Sequence, residues 1–126
     1  MKIMRIDIDM KINEFKKRLT NALRMQFFRG SNLITYVEAK ELLKENPQAV
    51  LLDVRSPQEY NEYHLTGAIC IPTYELQTKI SNIIEDKTQM IIVYCQSGGR
   101  SKKAVNILKK MGYSNLYELD GGIEEI

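Results

Sequence analysis

The chain has 126 residues, of which 44% are hydrophobic and 27% charged, with a formal net charge of +2; these values suit a globular protein with a single core rather than two. Its two cysteines, Cys70 and Cys95, form no C-x-x-C motif and no histidine cluster accompanies them, so we expect no metal site and no disulfide framework. No apolar run approaches the ~20 residues that span a bilayer, and charges interrupt the N-terminal segment, so we expect no transmembrane segment, no signal peptide and a reducing, cytoplasmic location.

Residues 1–30 are predicted to form a basic amphipathic helical extension, separate from a domain over 31–126. They contain eight Lys or Arg and three Asp or Glu, and their apolar side chains recur at helical spacing. We favour an accessory helix that packs on the domain with its charges solvated. The alternative is a weak contact with an anionic membrane or a partner protein.

Strands and helices are predicted to alternate from residue 32 onward. Leu33 and Ile34 begin a short strand, and Thr35 with Glu38 forms a capping box that opens a helix through Leu43. Asn46-Pro47 ends this helix, because the residue before a proline disfavours helical backbone.

A central strand and a second capped helix follow. Ala49 to Leu52 is a continuous apolar run that ends at Asp53. Ser56 and Glu59 then form a second capping box, with Pro57 at the first helical position.

The remaining chain repeats the alternation of short apolar strands and helices. The predicted segments are a strand within 67–72, a helix over 73–84, a strand over 90–94, a helix that includes 104–111, a strand over 116–119 and a turn at 120–122. This pattern predicts an α/β fold, in which helices cover both faces of a parallel sheet.

A six-residue loop between the fourth strand and its helix holds the candidate nucleophile, Cys95. The loop reads Cys95, Gln96, Ser97, Gly98, Gly99 and Arg100. A cysteine at a helix N-terminus faces unpaired N–H groups that favour the thiolate, two glycines let successive amides point inward, and an arginine adds a permanent cation. The cysteine could instead be a small buried hydrophobe, but packing alone requires neither the glycines nor the arginine.

Asp53 is predicted to lie near Cys95, because both follow the carboxyl ends of strands in one sheet. It could orient Arg100 or Arg55, or accept amide hydrogen bonds beside the cysteine loop. Equally, Asp53 could be an exposed cap or turn residue.

The chain from about Ser31 to Gly122 resembles the rhodanese, or sulfurtransferase, domain family. The matching segments are LLDVRSPQEY (51–60), HLTGAICIP (64–72), IIVYCQSGGRS (91–101) and MGYSNLYELDGG (111–122), in the family's order and spacing. The resemblance implies an open five-stranded parallel sheet with helices on both faces, here with an extra N-terminal helix. The family usually continues after the double glycine with a tryptophan and a closing helix. This sequence continues instead as Ile123-Glu124-Glu125-Ile126, so either the domain is shortened or the N-terminal helix covers the exposed face.

The resemblance also implies the activity of a single-domain sulfurtransferase. Cys95 would accept sulfane sulfur from thiosulfate or another persulfide and pass it to a thiol or to cyanide, with no metal and no organic cofactor. Cys95 and Arg100 would be catalytic, and Arg100 could hold the sulfonate oxygens of thiosulfate. The persulfide would be bound by the other residues of the loop and the one that follows it, namely Gln96, Ser97, Gly98, Gly99 and Ser101. Asp53 and Arg55 would support the site from nearby.

Two further residues are interpreted from their positions in the family pattern. His64 is expected to pack or to form hydrogen bonds rather than to act as a general base. Cys70 stands where the family often has asparagine, and we favour a buried strand cysteine over a resolving cysteine.

Two other functions remain open at this point. The first is a non-catalytic binding or sensor module, supported mainly by the basic segment 1–30. The second is a cysteine phosphatase, which needs five residues between cysteine and arginine to surround a phosphate, whereas only four intervene here. The expected partners are small-molecule sulfur donors and thiol acceptors, with no nucleic acid.

Overall fold

Five strands form one sheet in the computed structural model, which describes residues 32–126. The predicted helical extension over 1–30 lies outside the described residues. In chain order the elements are β1 (Asn32–Ile34), α1 (Tyr36–Glu45), β2 (Val50–Asp53), α2 (Pro57–Glu62), β3 (Ile69–Cys70), α3 (Thr73–Ile83), β4 (Ile91–Tyr94), α4 (Gly99–Lys110), β5 (Leu116–Leu119) and a 3-10 helix (Gly122–Glu125).

The sheet is parallel and has the strand order β1-β5-β4-β2-β3. β4 lies at its centre, where Val93 is in register with Leu52 of β2 and with Glu118 of β5. The five-stranded parallel α/β fold is therefore confirmed. Because all strands run the same way, the carboxyl ends of β2, β4 and β5 meet at one edge.

Two apolar clusters cover the two faces of the sheet, as the alternation of strands and helices predicted. One cluster contains Leu76 of α3 and Leu108 of α4 packed on Val93. The other contains Leu42 of α1 packed on Ile92 and neighbouring residues. Successive side chains of β4 therefore point to opposite faces, and the whole strand is buried.

Both predicted capping boxes are confirmed. Thr35 Oγ1 accepts the Glu38 N–H at 3.1 Å, while Glu38 Oε1 accepts the Thr35 N–H at 2.9 Å. Ser56 and Glu59 form the same reciprocal pair at the start of α2. Each box satisfies N–H groups that the first turn of a helix leaves without a partner.

Several element boundaries differ from the sequence prediction. α1 runs two residues past Leu43, because the Asn46 N–H still donates to Leu42 O. β3 is only two residues long, since Pro72 is the N-cap of α3. Within residues 32–126, none of the helices has both the length and the apolar character needed to cross a bilayer.

The largest correction concerns the cysteine loop, which is shorter than the predicted six residues. Helix α4 already begins at Gly99, so Gly99 and Arg100 lie in its first turn. Gly98 closes the loop with φ of 116°, a left-handed backbone conformation that glycine adopts without strain. Gly99 has no positive φ, so the turn depends on one of the two glycines rather than on both.

Candidate active site

The Sγ atom of Cys95 lies at the N-terminus of α4, directly after β4. It accepts hydrogen bonds from the backbone N–H of Gly98 at 3.0 Å and of Ser101 at 3.3 Å. The left-handed turn at Gly98 brings both donors to the same side of the loop. Two amides and the positive end of the helix dipole therefore converge on the sulfur, an arrangement that stabilises an anion there.

Cys95 itself is only 1% exposed and belongs to the apolar cluster beneath α4. Burial disfavours a charged sulfur, whereas the converging N–H groups favour it. The buried position also keeps bulk water from the sulfur. The sulfur therefore lies in a small, largely buried site lined by N–H groups, and not on the open surface.

The carbonyl groups of the cysteine loop are held from the opposite side by the final 3-10 helix. Cys95 O accepts the Ile123 N–H and Gln96 O accepts the Glu124 N–H, each at 3.0 Å. Gly122 adopts φ of 66°, which lets this short helix approach the loop closely. With the carbonyls held outward, the loop amides are free to face the sulfur.

Arg100 forms a bidentate ion pair with Glu59 of α2, and no hydrogen bond joins it to the sulfur among the described residues. Nη1 lies 2.6 Å from Oε1 and Nη2 lies 2.9 Å from Oε2. The hydrogen bonds from Arg100 are the largest cause of a lowered pKa of Glu59, which falls from 4.5 to about 2 against the opposing effect of burial. The pKa of Arg100 is raised, first by Glu59 and to a smaller degree by the charge of Cys95.

Asp53 and Arg55 form a buried ion pair at the carboxyl end of β2. Arg55 Nη2 lies 2.7 Å from Asp53 Oδ2 and also donates to Tyr63 O, while Arg55 Nη1 donates to Gln96 Oε1 at 3.4 Å. Burial opposes the charge of Arg55, but the hydrogen bonds and charge of Asp53 outweigh it and raise its pKa. The sequence left Arg100, Arg55 and the loop amides open as partners of Asp53. In the structure the partner is Arg55, and this pair contacts the cysteine loop through Gln96.

Ser101 connects the cysteine to a buried acid on the neighbouring strand. Its Oγ lies 3.5 Å from Cys95 Sγ, 3.0 Å from Gly98 O and 2.8 Å from Glu118 Oε2. Ser101 is fully buried and Glu118 is 2% exposed. Cys95, Gly98, Ser101 and Glu118 therefore form one contiguous group.

Three other residues singled out in the sequence form no hydrogen bond with the sulfur in the described part of the chain. Ser97 is exposed at the tip of the loop. The His64 ring stacks on Tyr60 at a centroid distance of 3.7 Å, and its Nδ1 lies 2.8 Å from Tyr60 O, which agrees with a packing and hydrogen-bonding role. Cys70 is partly buried in β3, and its Sγ lies 3.6 Å from Arg55 O.

Two acidic residues near the site were not identified from the sequence. Glu59 was recognised only as a capping residue, and no local signal links it to Arg100. Glu118 does have a signal in the sequence, because it is a carboxylate within the otherwise uncharged strand over 116–119, which is buried throughout. Acids are almost never fully buried without a partner.

The described residues offer a nucleophile held by amides, and no three His, Cys, Asp or Glu side chains among them converge as a metal site. A thiolate in such a cradle can attack a sulfur atom, as in thiol–disulfide exchange. The sulfur anion formed by such an attack could accept hydrogen bonds from the same N–H groups of Gly98 and Ser101.

Comparison with known proteins agrees with this geometry. The model of a family described as the rhodanese-like domain matches residues 35–126. The chain is 40% identical over 75 residues to thiosulfate sulfurtransferase PspE of Escherichia coli, which covers 60% of this chain and 71% of PspE. A solved structure of a rhodanese with anions from E. coli superimposes with a TM-score of 0.57 at 38% identity, over 62% of this chain and 91% of that one.

A longer relative also matches. The chain is 35% identical over 114 residues to the tRNA uridine(34) hydroxylase of Buchnera aphidicola subsp. Baizongia pistaciae. This match covers 86% of the chain but 36% of the hydroxylase, so the chain spans about a third of that relative's length.

Proposed function

The chain belongs to the rhodanese-like domain family, and from that membership we propose that it is a sulfurtransferase that carries sulfane sulfur as a persulfide on Cys95. The donor is thiosulfate or another persulfide, and the acceptor is a thiol or cyanide. Sulfurtransferase activity of a relative, PspE, supports this proposal.

The reaction consists of two nucleophilic displacements at sulfur. The Cys95 thiolate attacks the outer sulfur of thiosulfate, a new S–S bond forms, and the electron pair of the broken bond leaves with sulfite. Cyanide or a thiolate then attacks the outer sulfur of the persulfide, and Cys95 leaves as a thiolate again. Neither displacement requires an external oxidant or reductant.

The observation that carries the proposal is the pair of N–H groups that converge on Cys95 Sγ from Gly98 and Ser101. These donors stabilise the thiolate before the first displacement. They also suit the persulfide anion afterwards. A cysteine that served packing alone would need neither donor.

Mass spectrometry of the protein and of its proteolytic peptides, after exposure to thiosulfate, tests the proposal. We expect a gain of ~32 Da on the peptide that contains Cys95, reversed by cyanide with release of thiocyanate. Cys95→Ser should show neither the mass gain nor thiocyanate. Cys70→Ser is the matched control and should retain both. If the wild type and Cys95→Ser are equally inert toward several sulfur donors, the proposal is wrong.

Phosphatase activity is disfavoured by the short loop. Gly98 and Ser101 already place their N–H groups within hydrogen-bonding distance of Sγ, and a phosphate would need a wider ring of donors. We therefore expect no hydrolysis of phosphate esters that depends on Cys95.

A second candidate is a role in tRNA modification, favoured by the extent of the match to the tRNA uridine(34) hydroxylase. That match covers 86% of the chain. The rhodanese-like domain, residues 35–126, is a smaller share of the chain, so the match includes part of the segment before residue 35. In this role the chain would contact tRNA, contrary to the expectation of no nucleic-acid partner. Incubation with tRNA in air, with an added thiol, tests it. O2 would supply the oxygen atom gained at uridine 34, while two thiols reduce its second oxygen atom to water and become a disulfide; that gain supports hydroxylation, and tRNA that remains unmodified and unbound contradicts it.

A further inference from the structure

Glu118 is an acidic side chain on a face of β5 that otherwise packs against apolar residues. It is in register with Val93, on the face of the sheet that α4 covers, and is 2% exposed. Oε2 accepts a hydrogen bond from Ser101 Oγ at 2.8 Å, whereas Oε1 has no hydrogen-bond partner among the described residues. A carboxylate buried with one oxygen unsatisfied is costly, and such a group calls for an explanation beyond packing.

Ser101 links this carboxylate to the reacting sulfur. Its hydroxyl has one proton and can donate to only one acceptor at a time. The nearest acceptor is Glu118 Oε2 at 2.8 Å, followed by Gly98 O at 3.0 Å, while Cys95 Sγ lies 3.5 Å away. The hydrogen bonds among Cys95, Ser101 and Glu118 can therefore run in two directions. Either the sulfur donates to Ser101 and Ser101 to the carboxylate, or a protonated carboxyl group donates to Ser101 and Ser101 to the sulfur.

We propose that Glu118 is a positioning residue that stores the proton of Cys95 through Ser101. In the resting direction the Cys95 S–H donates to Ser101 Oγ, and the Ser101 O–H donates to Glu118. On activation the S–H bond breaks and its proton bonds to Ser101 Oγ, while the original Ser101 proton bonds to Glu118 Oε2. No electron is transferred, and the group has a charge of −1 before and after.

Electrostatics favours a shared charge, since two negative charges in one buried site repel strongly. The thiolate with a neutral Glu118, and the thiol with an ionised Glu118, each place a single charge there. Ser101 then donates its hydrogen bond to whichever end is ionised. This inference rests on the proposed function, because it takes Cys95 as the reacting sulfur.

Among the described residues, the two arginines of the site are already paired with carboxylates. Arg100 of α4 is held by Glu59 of α2, and Arg55 is held by Asp53 on β2. Tyr94 of β4 lies beside Arg55 on the opposite face of the sheet from Cys95. Glu118, in contrast, has no cationic partner in the described residues and is linked to the sulfur through Ser101.

The pH profile of Cys95 alkylation tests the inference in the full-length protein. The reagent is iodoacetamide, the rate is read from the Cys95 peptide by mass spectrometry, and the Cys70 peptide is the internal control. In the wild type, a shared proton predicts two steps separated by a shallow region in which the rate varies little with pH. In Glu118→Gln we expect one step, below which the rate falls about tenfold per pH unit.

Variants of Ser101 separate the relay from simple packing. Ser101→Ala should change the alkylation rate within the shallow region, because the hydroxyl that stabilises either ionised end is lost, and Ser101→Thr, which keeps the hydroxyl, should restore the wild-type rate there. Superimposable profiles for Glu118→Gln and the wild type would overturn the inference. If Glu118→Gln does not fold, identical profiles for Ser101→Ala and the wild type overturn it instead. Because alkylation needs no sulfur donor, failure here is distinguishable from failure of the proposed sulfur transfer.

Discussion

Gly122 lies so close to Cys95 that a Cβ atom at residue 122 would stand 2.5 Å from the Cys95 carbonyl oxygen. The same Cβ would lie 2.5 Å from the Gln96 carbonyl oxygen. The backbone therefore approaches the outer side of the cysteine loop at a distance that only glycine allows. This contact makes the 3-10 helix part of the support of the site.

Gly122→Ala should loosen the cysteine loop. The substitution introduces backbone strain at φ of 66° and a steric clash that displaces the Ile123 N–H from Cys95 O. We expect about 2–4 kcal/mol of lost stability and a fall in persulfide formation on the order of tenfold or more. Chemical denaturation and mass spectrometry of the Cys95 peptide measure the two effects.

Gly112→Ala is the matched control for this prediction. Gly112 has φ of 98°, but a Cβ there would meet no atom within 4 Å. It should therefore show strain alone and form the persulfide at the wild-type rate. If it reduces persulfide formation as much as Gly122→Ala does, the contact with Cys95 is not what supports the loop.

Acid should weaken the protein partly through the ion pair of Arg100 and Glu59. Because the folded state lowers the pKa of Glu59 to about 2, from 4.5, the pair contributes stability above pH 4.5 that is lost as the pH falls toward 2. Both side chains are partly exposed, at 42% and 30%, so the contribution should be about 1 kcal/mol. Urea denaturation of wild type and Glu59→Gln, in which glutamine can still cap α2, should give stabilities that differ at pH 7 and converge near pH 2. A constant difference across this range would contradict the prediction.

The same variant should improve binding of an anionic donor. In the wild type both donor nitrogens of Arg100 that face Glu59 are occupied, so thiosulfate must compete with that carboxylate. We expect Glu59→Gln to lower the KM for thiosulfate about fivefold, which corresponds to about 1 kcal/mol. A double-mutant cycle with Arg100→Gln provides the control, because Glu59→Gln should have no effect on KM once the guanidinium is absent. An equal effect in both backgrounds would mean that Glu59 acts by general repulsion rather than through Arg100.

Asp53→Asn should be strongly destabilising. Asp53 is fully buried and Arg55 is 3% exposed, so an amide at residue 53 leaves a buried guanidinium without its counter-charge. The expected loss in the free energy of unfolding is about 3–5 kcal/mol. Glu75→Gln makes the same chemical change in the exposed pair with Lys79 and should cost about 0.5 kcal/mol or less. Equal losses for the two variants in urea denaturation would contradict this account of the buried pair.

Cys70 should not form a disulfide with Cys95. Cys70 is in register with Asp53, which is in register with Tyr94, so two strand spacings of about 4.8 Å separate Cys70 from β4. Tyr94 and Cys95 also pack on opposite faces of the sheet. The separation of the two cysteines is too large for a disulfide, and their side chains do not point toward each other. Peptide mapping after mild oxidation should find no link between the two cysteines, and such a link would show that β3 moves.

The fold was predictable to the extent that its determinants are local. The starts of α1 and α2 were predicted to the residue, because Thr35 and Ser56 find their capping partners three residues later. The start of α4 was placed too late. Gly98 and Gly99 are chemically identical, and only the structure shows which of them takes the left-handed turn.

The candidate site was predictable in its nucleophile but not in its acids. Cys95 was identified because strand, glycines and helix lie side by side in the sequence. The partner of Arg100 could not be identified, since Glu59 is 41 residues away and already had a local role as a capping residue. Ser101 and Glu118 meet only because β5 lies beside β4, and strand order depends on the whole fold.

One oxygen atom ties two distant segments together. Glu59 Oε1 accepts hydrogen bonds from Ser56 at the start of α2 as well as from Arg100 at the start of α4. An anion that binds Arg100 in place of Glu59 thus breaks the ion pair between α2 and α4. The first turn of α2 is then stabilised only by the hydrogen bonds between Ser56 and Glu59. Occupancy of the site should register as faster amide hydrogen exchange in the first turn of α2, well removed from the sulfur in sequence.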